Sequence, residues 1–543
     1  MSRTSVFFDK AKNQLYRYIS LRNLTLAVIA VGVILRLTQY SLNRSLWLDE
    51  CFISFNIIHK SFSQLMVPLA YAQVAPVGFL FIEKALVSLI GNNEYVLRLF
   101  PLVAGIVSLF LLYYVARRCL REESALIAVG LFALSGHLIY YSSEVKQYSS
   151  DATMTLLLLA ITIYMMSKKF TNKSMALFIL TGGIAVWFSL PSVFVLAGIG
   201  CTLSVFSIAG KEWRTNNKLL ISYFIWLLSF SVLYLIYLPK VSHTLDLQQS
   251  YWSYKFMPFP PKSIADLKWY GKTFFDAFKS PVRLALPGLG ALTFLLGAVS
   301  IFTRDKQLFF ILILPLVFVL SASALHLYPF EGRLITFLVP YILLFIGESV
   351  TFLSDSLRDN SRVIKIILIG LLFYGPLTAA ASHTIKKTGY EVMPNEDMRS
   401  VMKYVKAHRR KDDVLYLYFF SQFPFRYYSK RFGLGNVDYI KGVYGIHDSN
   451  KYLDDIKKLR GNKRVWLIFS HTYKADGTND ETFYLNNLDR IGTRLDRFKS
   501  EGAAVYLYDL SKRQEKNSSN RIMSRLHPDR QPQKPPPVLD LSR

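Results

Sequence analysis

The stretch RNLTLAVIAVGVILRLTQYSLNRSLWLDE, residues 22–50, decides the fold. Residues 22–40 are mostly apolar, and about 20 predominantly apolar residues make a helix that crosses the hydrocarbon core. The chain then turns polar and reaches the acidic pair Asp49-Glu50 within a few residues. A long polar stretch precedes the apolar run and no small-residue cleavage site follows it, so it reads as an anchor, not a cleaved signal peptide.

Working outward, the same window finds further apolar runs near 95–116, 124–141, 151–167, 174–190, 191–210, 219–238, 286–303, 307–325, 334–353 and 364–382, eleven with the first. The fold class expected is an all-α polytopic membrane protein of about 11 transmembrane helices with a C-terminal soluble α/β domain. Composition agrees. The 543 residues are 52% hydrophobic, 15% aromatic and 19% charged, with a mean hydropathy of +0.27. Long apolar runs fill the chain to about residue 382 and much of the charge lies beyond it, which excludes disorder, a coiled coil, a disulfide-rich module and a simple soluble enzyme. Cys51, Cys119 and Cys201 lie far apart, without metal-ligand spacing or a disulfide framework.

Orientation follows the positive-inside rule. One set of loops carries Arg117, Arg118 and Arg121; Lys168, Lys169 and Lys173; Lys211, Arg214 and Lys218; Arg304 and Lys306; and Arg358, Arg362 and Lys365. The short loops of the other set, 142–150, 189–192 and 326–333, hold only Lys146 and Arg333. The basic set is read as cytoplasmic, with the N-terminal segment 1–21. Loop 239–285 carries seven Lys/Arg on the outer side, but the rule weakens with loop length. The net charge of +27 is thereby mostly topological. No nucleic-acid partner is expected, because that requires a basic soluble face with base-stacking aromatics.

The polar residues that need explaining then share one side of the membrane: Asp49-Glu50 after the first span; Ser143-Glu144-Val145-Lys146-Gln147-Tyr148 between the third and fourth; and Tyr328-Pro329-Phe330-Glu331-Gly332-Arg333 before the tenth. Tyr251-Trp252-Ser253-Tyr254-Lys255-Phe256 adds an aromatic loop. Each taken alone is more often a solvated span end or an interface anchor. Together they place expensive ionisable groups at converging span ends, which points to function. A carboxylate takes a proton from an acceptor hydroxyl, and Lys and Arg hold a phosphate. That set suits group transfer from a lipid phosphate. Segment 51–91, with Phe52, Phe55, Ile57 and Ile58 among polar residues, reads as helices lying along the bilayer surface, with core packing as the alternative.

These motifs resemble the GT-C superfamily of polytopic glycosyltransferases, specifically the branch of dolichyl-phosphate-mannose–protein mannosyltransferases and aminoarabinose–lipid A transferases. The resemblance covers roughly residues 20–355. It rests on Asp49-Glu50, Ala75-Pro76, Arg98-Leu99, the Ser143–Tyr148 loop and Pro329–Arg333 with Pro340 beyond. It implies an inverting transfer of a hexosyl or pentosyl group from a polyprenyl-phosphate-linked donor to a lipid, protein or polysaccharide acceptor. On matching positions it implies Asp49 as general base and Glu50 as its positioning partner. Lys146 and Arg333 would bind the donor phosphate with Tyr148 nearby, supported by Glu144, Glu331 and Gln73. Many relatives carry His-Pro-Pro where this chain has Ala75-Pro76-Val77, so that His is missing; a divalent cation stays open and its ligands unknown.

Domains are expected at 22–382 (transmembrane), 383–510 (extracytoplasmic α/β) and 511–543 (disordered, basic, Pro-rich), in a bacterial inner or plasma membrane. Strands are read at Val414–Phe420, Val465–Phe469 and Ala503–Leu510, and helices at 396–410, 449–460 and 479–499. Gly433-Leu434-Gly435 is too short for a dinucleotide fingerprint. The rival class is a transporter or lipid flippase without chemistry, but no internal repeat is evident; a non-catalytic envelope scaffold is a third reading.

Overall fold

The computed structural model describes residues 21–236, 252–356, 361–386, 389–393, 395–445, 448–475 and 478–511. The expected cytoplasmic segment (1–21, but for Leu21), Tyr251 of the aromatic loop and the Pro-rich tail (511–543, but for Ser511) lie outside them. Two compact units emerge. One comprises residues 1–42 and 60–392, the other residues 43–59 and 393–543.

The first unit is helical. In chain order its elements are α1 (Leu21–Ser41), α3 (Val77–Ile90), α4 (Leu99–Cys119), α5 (Glu122–Leu134), α6 (Gly136–Tyr141), α7 (Tyr148–Ser167), α8 (Asn172–Phe188), α9 (Ser192–Ala209) and α10 (Trp213–Ile236). After these come α11 (Ile264–Lys279), α12 (Pro287–Arg304), α13 (Lys306–Ala324), α14 (Val339–Ser356) and α15 (Ser361–Lys386). α2 (Leu48–His59) falls in the second unit. Among the described residues nine helical segments are long and apolar enough to cross a membrane, and α8 is shorter. In hydrocarbon every backbone N–H and C=O must be satisfied internally, which is why spans are helices. Their outward faces carry exposed apolar side chains such as Leu180, Phe224, Leu227, Leu235 and Ile366. The chain is a multi-pass membrane protein.

The run expected to span at 124–141 is broken. α5 ends at Leu134, Ser135 adopts φ −63°, ψ 111°, and α6 restarts at Gly136. A helix end leaves its last carbonyls without partners. The fully buried Arg36 of α1 answers them, its Nη1 donating to the carbonyl of Ala133 (3.2 Å) and its Nη2 to that of Phe132 (3.4 Å), while Nη1 also donates to Gly32 of its own helix (3.0 Å).

The segment Gly332–Leu353 is the centre of the unit: 94% of its apolar window is buried, against 17% for α15 at the periphery. α14 packs on α12 and α5, α4 on α7, and α9 on α13. Close approach is achieved by small residues, as expected where water does not drive helix association. A Cβ added at Gly297 would lie 1.8 Å from the Phe345 carbonyl oxygen, and one at Gly347 2.5 Å from that of Ser124.

The second unit is α/β. Strands β1 (Val414–Leu417), β2 (Ile440–Lys441), β3 (Val465–Ser470), β6 (Thr493–Ser500) and β7 (Ala503–Asp509) form one sheet in the order β2-β1-β3-β7-β6. The pair β4 (Lys474–Ala475) and β5 (Thr478–Asn479) stands apart. β1 runs parallel to β2 and β3, while β7 is antiparallel to β3 and β6. Its helices are α16 (Met398–His408), α17 (Gln422–Tyr428), α18 (Ser449–Lys458) and α19 (Asp480–Ile491). The helix expected over 479–499 therefore stops early: Gly492 interrupts it, and TRLDRFKS forms the charged edge strand β6, a composition that blunts an edge against further pairing.

Candidate functional site

Between α6 and α7 the loop Ser142–Gln147 is almost wholly buried. It carries Glu144 (0% exposed) and Lys146 (6% exposed). A buried ammonium is costly unless it is hydrogen-bonded. Lys146 Nζ donates to Gln73 Oε1 at 2.7 Å, and Gln73 Nε2 turns back to the carbonyl of Tyr71 at 3.2 Å. The backbone just before Gln73 is strained, with Tyr71 at φ 62° and Ala72 at φ 49°. Non-glycine residues seldom take up this region, and where they do the surrounding structure imposes it, often at a functional site.

Arg333 opens a stretch of 3₁₀-helix, Gly332–Leu338, that packs on α7. Its guanidinium carbon lies 5.9 Å from the ring centroids of both Tyr148 and Trp252, so two aromatic faces flank the cation and favour it electrostatically. Tyr148 meets Tyr141 edge-on at 4.8 Å, and the charges of Glu144 and Arg333 both act on the Tyr141 hydroxyl. Behind Arg333, Thr336 Oγ1 donates to the Arg333 carbonyl at 2.7 Å and lies 2.8 Å from Nε2 of the buried His137. Glu331 pairs with Lys255 at 2.8 Å, which fixes the aromatic loop to the 326–333 segment. One neighbourhood of the first unit thus gathers Gln73, Glu144, Lys146, Tyr148 and Arg333, with Glu331 at its border.

Asp49 and Glu50 stand in the first turn of α2, in the second unit. Carboxylates are stabilised there by the helix dipole. Glu50 is fully buried, and its Oε2 accepts from the backbone N–H of Trp47 at 3.4 Å, the residue whose carbonyl closes the first helical turn. That is half of a capping box. Asp49 is partly exposed. The helix does not lie free along a lipid surface. Leu48 and the whole run Glu50–Ile57 are buried, with Phe52 edge-on to Phe423 (4.8 Å) and Phe55 beside Tyr427 (6.5 Å) of α17. Core packing is the reading the structure supports for this helix.

Sequence reading missed the residues that brace this turn. Tyr428 Oη accepts from Leu46 N at 2.8 Å. Glu396 Oε2 accepts from Leu48 N at 3.3 Å, while its Oε1 is 2.5 Å from His471 Nδ1. Asp397 accepts from Ser45 and Ser500; burial pushes its carboxyl up, but these hydrogen bonds and that of Ser400 outweigh it and hold the group below the usual carboxylate range. No local pattern near 396 or 471 signals a partner more than three hundred residues away. Trp252 stands out in the sequence as part of an aromatic outer loop, but neither its pairing with Arg333 nor that of Tyr141 with Tyr148 is legible there. Among the described residues no group of three or more His, Cys, Asp or Glu stands close enough to hold a metal ion.

Residues 73–237 match the family model described as dolichyl-phosphate-mannose-protein mannosyltransferase, a segment that contains Gln73, Glu144, Lys146 and Tyr148. Solved structures match over most of the chain. The Archaeoglobus fulgidus oligosaccharyltransferase, in a crystal structure with Zn and sulfate, superposes with a TM-score of 0.50 at 12% identity, covering 81% of this chain and 67% of that one. The fold is GT-C. The Cupriavidus metallidurans ArnT in its apo state gives a GT-C match of TM-score 0.50 at 11% identity, over 90% of this chain and 98% of that one. The archaeal AglB, in complex with an inhibitory peptide and a dolichol-phosphate, gives 0.50 at 12% identity over 89% and 74%. No curated protein matches by sequence. The chain is thus similar to the mannosyltransferase and ArnT-like branch of GT-C glycosyltransferases, in sequence over 73–237 and in fold over most of its length.

Proposed function

We propose that this GT-C chain is an inverting membrane glycosyltransferase that moves a sugar from a polyprenyl phosphate to an acceptor hydroxyl, with its chemistry on the extracytoplasmic side. The observation that carries the reading is the pair of cations in the first unit. Lys146 is buried on Gln73 and Arg333 is flanked by two rings, within and beyond the segment that matches the mannosyltransferase model. A donor phosphate supplies the negative charge that such a pair favours. The dolichol-phosphate bound by AglB makes a polyprenyl-phosphate donor the natural class.

In the proposed reaction, Lys146 and Arg333 hold the phosphate of the donor. Asp49 accepts the proton of the acceptor hydroxyl, and the freed oxygen attacks the anomeric carbon. The bond from that carbon to the phosphate oxygen breaks as the new glycosidic bond forms. The phosphate leaves with the electron pair, its growing charge met by Lys146 and Arg333. Configuration inverts because attack and departure are on opposite faces. Glu50, tied to the Trp47 amide, positions the turn that bears Asp49, and Glu396 supports the same turn from Leu48. The test is incubation of purified protein with a panel of polyprenyl-phosphate sugars. Release of polyprenyl phosphate by wild type and its loss in Asp49→Asn supports the reading; full release by Asp49→Asn removes Asp49 as base.

A further inference from the structure

His137 is a buried polar side chain that the proposed reaction leaves unused. It sits in the first turn of α6, just past the break at Ser135, and is 0% exposed. An imidazole buried this completely is costly unless it is hydrogen-bonded. Its partner is Thr336, on the same 3₁₀ stretch that carries Arg333.

The direction of that bond follows from the proton count. Thr336 has one hydroxyl hydrogen, and it is committed to the Arg333 carbonyl at 2.7 Å. The Thr336 oxygen therefore accepts from His137 Nε2 at 2.8 Å, which fixes the tautomer protonated at Nε2. Nδ1 is buried with no hydrogen-bond partner among the described residues. A lone pair can be left there, whereas a second N–H would be buried without an acceptor. His137 is thereby a neutral donor, and hydrogen bonds run from it through the Thr336 hydroxyl to the backbone of Arg333.

That backbone needs a brace. Hydrogen bonds in a 3₁₀-helix have poorer geometry than those of an α-helix, and Gly332–Leu338 is further interrupted at Ile335 (φ −99°, ψ 16°), between Arg333 and Thr336. The next carbonyl, that of Leu334, accepts from the Tyr328 hydroxyl at 2.8 Å. A second route reaches the guanidinium itself. The His137 ring meets Tyr141 edge-on at 4.6 Å, Tyr141 meets Tyr148 edge-on at 4.8 Å, and Tyr148 flanks the Arg333 cation at 5.9 Å. Both routes start in α6, the short helix that the Ser135 break sets apart from α5.

We infer that His137 is a positioning residue for Arg333, fixing its backbone through Thr336 and its guanidinium through Tyr141 and Tyr148. It acts through these residues and not on the reacting atoms. A cation seated before the substrate arrives stabilises developing charge without having to reorganise. The inference rests on the transfer reading only for what Arg333 meets, the leaving phosphate.

The test uses the full chain in phosphatidylcholine nanodiscs and four variants. Thr336→Val keeps the shape and drops the hydroxyl, while Thr336→Ser keeps the hydroxyl. His137→Leu removes the donor, while His137→Gln retains an N–H near the Nε2 position. Arg333 is partly exposed, so its modification by phenylglyoxal is followed by mass spectrometry of its peptide, with Arg304, which pairs with Glu348, as the internal reference. Relative to Arg304, Arg333 should react about three- to tenfold faster in Thr336→Val and His137→Leu, the worth of one buried hydrogen bond. It should stay near the wild-type rate in Thr336→Ser and His137→Gln. In the transfer assay Thr336→Val and His137→Leu should lower kcat/KM for the donor by a similar factor and leave the acceptor KM in place. The inference is overturned if Val and Leu leave the Arg333 rate unchanged, if Ser and Gln fail to restore it, or if Arg304 accelerates equally, the mark of a general loosening. The modification rates need no substrate. A wild type that transfers no sugar thus removes the transfer reading while the Arg333 rates still decide this one.

Discussion

Asp49 and Glu50 are neighbours with different surroundings, and in the proposed reaction that difference separates their roles. Glu50 is fully buried and tied to the Trp47 amide, while Asp49 keeps partial exposure. Asp49→Asn should therefore lower turnover by about 10²–10⁴, the usual worth of a general base, with expression and thermal midpoint unchanged. Glu50→Gln, which keeps an acceptor oxygen for the Trp47 amide, should cost far less; equal losses in the two variants would reverse the assignment. Arg333→Ala should raise the donor KM and lower turnover while leaving the acceptor KM near wild type, read from initial rates with each substrate varied. At Asp413 burial works against the charged form, but donation from Arg464 (2.7 Å), the Arg410 amide (2.9 Å) and the Trp466 indole (2.7 Å) prevails, and the carboxyl is held below its ordinary value. A depressed acid stabilises the fold fully above its unfolded value near about 3.9, and that contribution is lost as pH falls through the folded value. The thermal midpoint of wild type should drop more steeply between about pH 5 and pH 2.5 than that of Asp413→Asn; parallel curves would show that the clamp does not contribute.

At the scale of elements, the helices α12 and α14 approach so closely that only hydrogen fits at Gly297. Gly297→Ala should cost about 1–3 kcal/mol as an overpacked contact, seen as a lower midpoint in detergent. Ala at Gly288, where an added Cβ meets nothing within 4 Å, is the control and should leave the midpoint in place. Spans were legible because their apolar runs are long, and the break at Ser135 was not, because a single residue of extended backbone leaves hydropathy untouched. In the second unit, β1, β3 and β7 were legible as apolar β-branched and aromatic runs. β6 was hidden by its alternating, charged sequence, whose inward side chains Arg494, Asp496, Phe498 and Ser500 are only half-buried. α2 misled for a related reason: an apolar helix with scattered polar residues looks the same whether its face meets lipid or protein, and here it meets Phe423 and Tyr427.

At the scale of the molecule, the reading places the second unit outside the cell membrane. A phosphatase reporter fused after Ser511 should be active only in the extracytoplasmic space, and one after Lys168 only inactive; the opposite pattern would invert the positive-inside assignment. The sequence by itself determined that this chain crosses a membrane many times, carries a small α/β unit after the spans, and concentrates its unusual charges in a few loops. Those properties are local, set by runs of apolar residues and by charges next to them. The tertiary structure alone decided which of those charges have partners. It put Lys146 on Gln73, Arg333 between Tyr148 and Trp252, and Glu396 on the Leu48 amide. Contacts between residues tens or hundreds apart depend on how helices pack, and packing is fixed by shape and volume along whole faces, which no short motif records.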